Sequence, residues 1–465
     1  MKTLPSITAS AEQLPIISTN RNGAELIRGA AGSGKTTTAL LRLSSLLSMM
    51  LVRKARMEDE TPLKVLLLTF NRTLAGYVGA LAEEQFVETD QTIEISTFAS
   101  WAIQKLGRPD VHPDECSREL EALCYRFEGL DSKYLISEVE YLLGRFKPED
   151  LTNYITTERT GRGLLPRVTA EIRQRILDEV VYPYRQTLAD NDWTDWNTLA
   201  TRMLNIQSTD YDIIVVDESQ DFSANEIRAI VHHLSDYHSV TFVTDTAQRI
   251  YARGYTWVEA GVHIAAGRSH KLNQNHRNTK QIAGFASGIL DGMRVDADGS
   301  LPNLDAATEN GSLPQIITGT YSEQINWAIN YINQNVDLET ESVAFLKPQG
   351  GRWFDFTRTK LKEAGIDYAY LTRRSDWPTG DENVGLSTFH SAKGLEFDHV
   401  IILGYNQENT QFGDENESDR IRVQRRMLAV AVARARKHVV IGYKPSEKSQ
   451  LTRFFNDNTF DLVEL

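Results

Sequence analysis

Residues 29–36 read GAAGSGKT, which matches G-x-x-x-x-G-K-[ST] at every fixed position. The stretch GAELIR at 23–28 runs into this segment, and TTALLRLSSLLSMML at 37–51 follows it with apolar residues at helical spacing. Strand, glycine-rich loop and helix in that order form the setting in which backbone N–H groups cradle phosphate. Gly29, Ala30, Ala31, Gly32, Ser33 and Gly34 supply that backbone, and the two later glycines let it turn tightly. Lys35 reaches the β and γ phosphates, and the Thr36 hydroxyl is placed to ligate Mg²⁺ at the positive end of the helix.

A loop of this kind needs a carboxylate on the metal side and a group to orient water. IIVVDESQD at 213–221 offers both after an apolar run. Asp217 is the expected metal-side carboxylate, and Glu218 the expected base or water-orienting group. Further β-like runs at 65–70, 240–243, 343–346, 384–389, 400–403 and 438–442 are separated by helical stretches, an alternation that argues for parallel sheets. Their number and spread predict an α/β fold of two domains. Residues 103–205 change to helical periodicity, as in Ile136, Val139 and Leu143, and predict a helical insertion within the first domain. The expected division is 1–102 with 206–273 for the first α/β domain, 103–205 for the insertion and 274–465 for the second. Acidic stretches at 296–310 and 409–419 read as solvated loops.

The chain has 465 residues, too many for a single module, with 41% hydrophobic and 24% charged residues as in ordinary globular proteins. No run approaches the roughly 18–20 apolar residues that cross a membrane, and the opening MKTLPSITASAEQLPIIS lacks the apolar core of a secretory signal. A cytoplasmic protein without membrane contact is the expectation. Two cysteines, Cys116 and Cys124, cannot build a disulfide framework or a four-thiolate metal site, so both read as reduced and structural. With 50 Lys and Arg against 63 Asp and Glu, the net charge is −13, and any nucleic-acid contact must come from local basic patches.

From DESQ onward the sequence resembles the superfamily 1 helicases of the UvrD, Rep and PcrA type, whose pattern in this place is DE-x-Q-D. TFNRTLA at 69–75 resembles that family's TFTNKAA, STFASWA at 96–102 its TFH motif, and DTAQRIY at 245–251 its GDxxQSIY. LNQNHRNT at 272–279 resembles LxxNYRS, LSTFHSAKGLEFDHVIILG at 386–404 is close to the family pattern, and RRMLAVAVARAR at 425–436 resembles RRLLYVAxTRA. The resemblance implies two RecA-like P-loop domains with parallel sheets and ATP held between them. It assigns Gln13, in AEQLPII, to the adenine, and Gln248 to sensing the γ-phosphate. Arg277 and Arg434 become fingers from the second domain that neutralise charge developing in the transition state, and Glu396 touches the nucleotide from across the cleft. There are departures. His276 stands where a tyrosine stacks on adenine, Thr37 where a basic residue is common, Ala433 for threonine and Gln424 for glutamate.

Binding a single strand without sequence preference calls for aromatic faces and phosphate-gripping groups. Phe70, Thr97, Phe98, Tyr251, Tyr255, Trp257 and His390 fall in or beside the motifs that line the strand in the resembled family, with Trp257 or Tyr255 in the main stacking place. Ala99 replaces a common DNA-touching histidine. Arg159, Arg162 and Arg167 in ERTGRGLLPR, with Lys64, Arg72, Arg249, Arg253 and Arg358, are the candidate basic groove.

Thr97 and Asp217 are 120 residues apart, room for the helical insertion, whereas Arg277 and Ser387 are only 110 apart. The large second insertion of full-length relatives is therefore expected to be absent, as is a nuclease-type carboxylate cluster. The expectation is a compact ATP- and Mg²⁺-dependent translocase or helicase acting on single-stranded DNA, including strands at a duplex junction, with 3′-to-5′ polarity by resemblance. The competing expectation is a DNA-sensing ATPase subunit that gates a partner nuclease in a repair or phage-defence complex. DNA rather than RNA rests on the resemblance.

Overall fold

The computed structural model describes residues 9–29, 32–85, 93–158, 166–244, 254–273, 275, 277–293, 307, 309–348, 354–372, 377–410 and 419–465. Its first sheet is built from β1 (Gly23–Gly29), β2 (Val65–Thr69), β3 (Ile93–Thr97), β4 (Tyr211–Val216), β5 (Leu234–Thr244) and β6 (Ser269–Leu272). Their order is β3-β2-β4-β5-β1-β6, with every pair parallel. Parallel sheets are covered on both faces, so their central strands are apolar throughout. VLLLT in β2 and IIVV in β4 are buried at every residue. The helix Lys35–Arg56 covers one face with Leu40, Leu43, Leu46, Leu47 and Met50, spaced three and four apart. Arg53, Lys54 and Arg56 fall in its last turn, where cations meet the negative end of the helix dipole.

The second sheet comprises β7 (Gln315–Thr318), β8 (Val343–Lys347), β9 (Tyr368–Tyr370), β10 (Val384–Thr388), β11 (Phe397–Ile402), β12 (Ala435–Tyr443) and β13 (Asp461–Glu464). It too is wholly parallel, in the order β13-β7-β12-β11-β8-β10-β9. Two parallel α/β sheets are the architecture expected from the alternation of strand-like and helical runs. Much of the acidic stretches at 296–310 and 409–419 lies outside the described residues.

Between β3 and β4 the chain is helical, with a core of its own that includes Leu120, Leu135, Val139, Leu142, Ile176 and Val180. Helices Pro113–Arg126, Ser132–Arg145 and Trp196–Arg202 surround a longer run from 170 to 190. That run widens to a π turn at Leu177–Val181 just before Pro183, a residue with no N–H to give to the helical ladder. Cys116 and Cys124 are buried here, and burial pushes their thiols up to about 11 and about 12, leaving no reactive thiolate at neutral pH. Asn225 fastens this helical unit to the first sheet's helices by donating to Leu143 O at 2.9 Å and Phe146 O at 2.8 Å. Arg145 adds an ion pair to Glu259 at 2.5 Å.

The two sheets meet through the helix Arg72–Gln85. Thr73 Oγ1 donates to Leu371 O at 2.6 Å, and the Tyr77 ring sits edge-on to Trp377 with centroids 4.8 Å apart. Leu74 packs on Gly394, whose φ of +83° favours glycine and whose Cα leaves no room for a Cβ beside that leucine. Among the described residues no helix is long and apolar enough to cross a membrane.

Candidate nucleotide and nucleic-acid site

Most of the site residues follow the C-terminal ends of parallel strands, where the chain leaves the sheet and ligands bind in open α/β folds. β1 ends at Gly29, where a Cβ would meet Leu272 O of β6 at 2.9 Å. Gly32 and Gly34 take φ values of +80° and +75°. Gly34 is the N-cap of the helix Lys35–Arg56, so the glycine-rich loop leads straight into the positive end of the helix. Ser33 is buried, and Lys35, Thr36 and Thr37 are half-buried. Ala30 and Ala31 lie outside the described residues.

β4 delivers the carboxylates. Thr36 Oγ1 donates to Asp217 Oδ2 at 2.8 Å, and the Glu218 backbone N–H donates to Asp217 Oδ1 at 2.9 Å. Glu218 has φ +52°, a left-handed conformation that costs a non-glycine residue about 1–3 kcal/mol and is typical of residues held for function. Burial, and then the neighbouring Glu218 charge, raise the Asp217 carboxyl above its ordinary value. Burial would raise Glu218 as well, but Lys393, Arg434 and Lys35 surround it and hold it below the usual range. Glu218 is thereby kept charged at neutral pH. The Thr36 hydroxyl and the Asp217 carboxylate are hard oxygens set side by side. Among the described residues no group of three or more His, Cys, Asp or Glu forms a metal cage. That pair suits Mg²⁺, which takes one or two protein oxygens and fills its shell from phosphate and water.

The second domain supplies the cations. Arg434 is 2% exposed, and its Nε donates to Val430 O at 3.1 Å and its Nη1 to Leu395 O at 3.4 Å. Arg277 pairs with Glu396, and its buried Nε has no partner among the described residues, a donor available to an anionic ligand. The structure thus joins Arg277 to Glu396 directly. Gln13 is buried against the phosphate loop, where its Nε2 donates to Gly34 O at 3.4 Å while its Oε1 accepts from Ser10 N at 2.9 Å. Gln248 and His276 lie outside the described residues.

Sequence reasoning passed over several residues that build this site. Lys393 and Asp221 form a buried ion pair between the domains, and Lys393 Nζ is also 3.4 Å from Glu218 Oε2. Arg42 is 1% exposed and donates to Ile16 O at 3.1 Å and to Thr19 O. It thereby holds the short helix Leu14–Ser18, which Gln13 immediately precedes, against the helix Lys35–Arg56. Burial pushes the Arg42 guanidinium down to about 10, opposed by the Glu25 charge. The signal was present in TTALLRLSSLL, where an arginine interrupts an apolar face.

The aromatic candidates divide by environment. Phe98 is 5% exposed, with its ring edge-on to Trp101 at 5.6 Å and to Phe222 at 6.5 Å, so it packs in the core. Thr97 caps the helix Phe98–Lys105 by accepting from Ser100 N at 3.2 Å. Phe70, Tyr255, Trp257 and His390 are each half-buried. Trp257 leans on Phe242 with centroids 4.7 Å apart, and Lys393 Nζ lies 5.9 Å from the Phe70 ring centroid. His390 O accepts from Asn71 Nδ2 at 3.4 Å, and burial, then Lys393, lowers the His390 imidazole. Arg72 and Arg167 are exposed. Arg358 pairs with Asp355 at 3.1 Å. Lys64 precedes β2, at the N-terminal end of the strands and so opposite the site, and donates to Thr209 O at 2.8 Å. Tyr251, Arg159, Arg162, Arg249 and Arg253 lie outside the described residues.

Two family models match this chain: the UvrD/REP helicase N-terminal domain over residues 9–266 and the UvrD-like helicase C-terminal domain over residues 361–446. A protein named "Probable DNA helicase" from Mycoplasma pneumoniae is 20% identical over 454 residues, covering 90% of this chain and 80% of that protein. The ATP-dependent DNA helicase PcrA of Staphylococcus epidermidis is 23% identical over 310 residues, 60% of this chain. The match covers only 40% of PcrA itself. A solved structure, the C-terminal domain of a possible DNA helicase from Lactobacillus plantarum WCFS1, aligns with 40% of this chain and 97% of that one. Its identity is 23% and its TM-score 0.30, too low to bear on the fold. Because the first family model alone matches more than half of the residues, the chain belongs to the UvrD/Rep helicase family, ATP-dependent DNA helicases built on two RecA-like domains.

Proposed function

We propose that this chain is a DNA-stimulated ATPase that binds Mg·ATP between its two sheets and uses hydrolysis to move along single-stranded DNA, 3′ to 5′ as the family resemblance implies. One observation carries the reading: Lys393 Nζ of the second domain lies 3.4 Å from the buried Glu218 Oε2 of the first, and the charges of Lys35 and Arg434 also favour the ionised Glu218 carboxylate. A water-orienting base ringed by cations from both walls of a cleft is the arrangement that phosphoryl transfer to water requires.

Lys35 and the loop N–H groups bind the phosphates, and Gln13 and His276 border the base. Thr36 and Asp217 would hold Mg²⁺, which would supply positive charge to offset that of the phosphates. Glu218 orients water and accepts its proton at a carboxylate oxygen. Arg277 and Arg434 meet the charge that builds on the transferred group, Glu396 sets Arg277, and Gln248 reports the γ-phosphate. Closing and reopening of the cleft alternates the grip on a strand lined by Phe70, Tyr255, Trp257 and His390. With 110 residues between Arg277 and Ser387 and no room there for a large insertion, translocation by this chain is expected ahead of unwinding.

The test is ATP hydrolysis with and without oligo(dT) at two salt concentrations, beside Lys35→Ala. Stimulation that weakens with salt and vanishes in the variant supports the reading. Nucleotide binding without any stimulation would shift it to a DNA-sensing subunit that needs a partner, and wild-type turnover in Lys35→Ala would overturn the site.

A further inference from the structure

Residues 275–278, NHRN, carry two buried amides that connect the phosphate loop to the arginines of the opposite wall. Asn275 and Asn278 are 4% and 3% exposed. Asn275 Oδ1 accepts from the backbone N–H of Arg277 at 3.0 Å and of Asn278 at 3.1 Å. Its Nδ2 donates to Asn278 Oδ1 at 3.1 Å. Asn278 Nδ2 in turn donates to Ala435 O at 2.6 Å and Ala433 O at 3.1 Å, the two carbonyls that flank Arg434. On the other side, Asn275 presses on the loop so closely that a Cβ at Gly32 would strike its Oδ1, and would stand 2.7 Å from Arg277 Cβ.

Only an amide can make this connection. Both protons of Asn278 Nδ2 are spent on the two carbonyls and its oxygen on Asn275, whereas a hydroxyl has one proton to give. The resembled pattern LxxNYRS carries serine at this place, and RRLLYVAxTRA carries threonine where Ala433 stands. In this chain the donors are gathered on Asn278, and Ala433 contributes its carbonyl alone.

We propose that Asn278 is a positioning residue for Arg434: it ties the backbone on both sides of Arg434 to the segment that carries Arg277, so that the two guanidinium groups meet the phosphate loop as one unit. The inference rests on the finger reading of Arg434 and adds the residue through which that finger is held. A misplacement of about 1 Å in such a group costs on the order of 100-fold in rate, so a backbone tether of this kind controls turnover without touching nucleotide.

The experiment compares the affinity of the whole protein, with oligo(dT) present, for Mg·ADP and for Mg·ADP with aluminium fluoride, a mimic of the phosphoryl group in transfer. Arg434→Ala is expected to weaken the fluoride complex by about 100-fold and ADP by less than about threefold. Asn278→Ser is expected to weaken the fluoride complex by about tenfold with ADP unchanged, and the double variant is expected to be no weaker than Arg434→Ala. Asn278→Thr, which refills the lost volume with one donor, should give the same split and replaces Asn278→Ser if that variant melts early. An intact fluoride complex in the Asn278 variants, equal losses for ADP, or losses that multiply in the double variant overturn the positioning role. An intact fluoride complex in Arg434→Ala overturns the finger reading itself, and the inference with it.

Discussion

Lys393 Nζ of the second domain lies 3.4 Å from Glu218 Oε2 of the first and also pairs with Asp221, and all three side chains are buried. A buried ion pair adds little net stability, but breaking one strands the remaining charge. Lys393→Met is therefore expected to destabilise the protein by about 3–5 kcal/mol. Adding Asp221→Asn should restore most of the melting temperature by removing the stranded carboxylate. It should not restore ATP turnover, because Glu218 has still lost a cation from across the cleft. Melting curves and steady-state hydrolysis of both variants check this, and a single variant that melts and turns over like wild type would refute it.

Thr36 and Asp217 touch at 2.8 Å, and among the described residues no group of three or more His, Cys, Asp or Glu forms a metal cage. A site with so few protein ligands would hold Mg²⁺ with help from the nucleotide. Asp217→Asn is expected to raise the Mg²⁺ concentration for half-maximal hydrolysis by about tenfold or more. Nucleotide binding measured in EDTA should change little. A Mg²⁺ titration identical to wild type would remove Asp217 from the metal site.

Trp257 and Phe98 both lie in or beside motifs expected to line the strand, and their packing differs. Phe98 is enclosed by Trp101 and Phe222, whereas Trp257 keeps part of its surface open while leaning on Phe242. Phe98→Ala is expected to cost about 3–5 kcal/mol of stability as a cavity in the core. Trp257→Ala is expected to lower affinity for oligo(dT) by about tenfold, the loss of one stacked base. Fluorescence anisotropy beside thermal melting distinguishes the two, and equal effects of both variants on DNA affinity would contradict the division.

What the sequence disclosed follows from where its constraints are local. GAAGSGKT, DESQ and the apolar runs at β2, β4, β8, β10 and β11 each fix their structure within a few residues, so both sheets and the nucleotide loop were legible. β6 reads SHKL, β9 is three residues long and β13 reads DLVE, so none presents a strand pattern; they exist because a parallel neighbour completes their hydrogen bonds. The Lys393–Asp221 pair and the Asn278 tether span 172 and 157 positions, and no periodicity encodes such a contact. Phe98 shows the converse: an aromatic inside a motif is as readily core as surface, and only packing decides.

His438, at the start of the buried part of β12, gives the protein a pH dependence separate from its chemistry. Its Nδ1 lies 2.8 Å from Ser312 Oγ and its Nε2 3.2 Å from Gln315 Oε1, an arrangement met by the neutral ring with Nε2–H donating and Nδ1 accepting from the hydroxyl. The ring also stacks on Tyr331 with centroids 5.3 Å apart. Burial, with the nearby His399, pushes the His438 imidazole down to about 4. The unfolded chain, with an ordinary value of about 6.5, therefore binds the proton first as pH falls. The stabilising contribution is complete above about pH 7, declines as pH drops through about 6.5, and is exhausted near pH 4. At pH 5 the loss is expected to be about 1–2 kcal/mol. His438→Gln removes this term, so the melting-temperature advantage of wild type over the variant should shrink by a few degrees between pH 7 and pH 5. Calorimetry at the two pH values measures it. A difference that stays constant would mean that the ring takes up its proton at the same pH in the folded and unfolded chains, and an advantage that grows toward pH 5 would mean that the folded ring is the more readily protonated, with Ser312 acting as an acceptor.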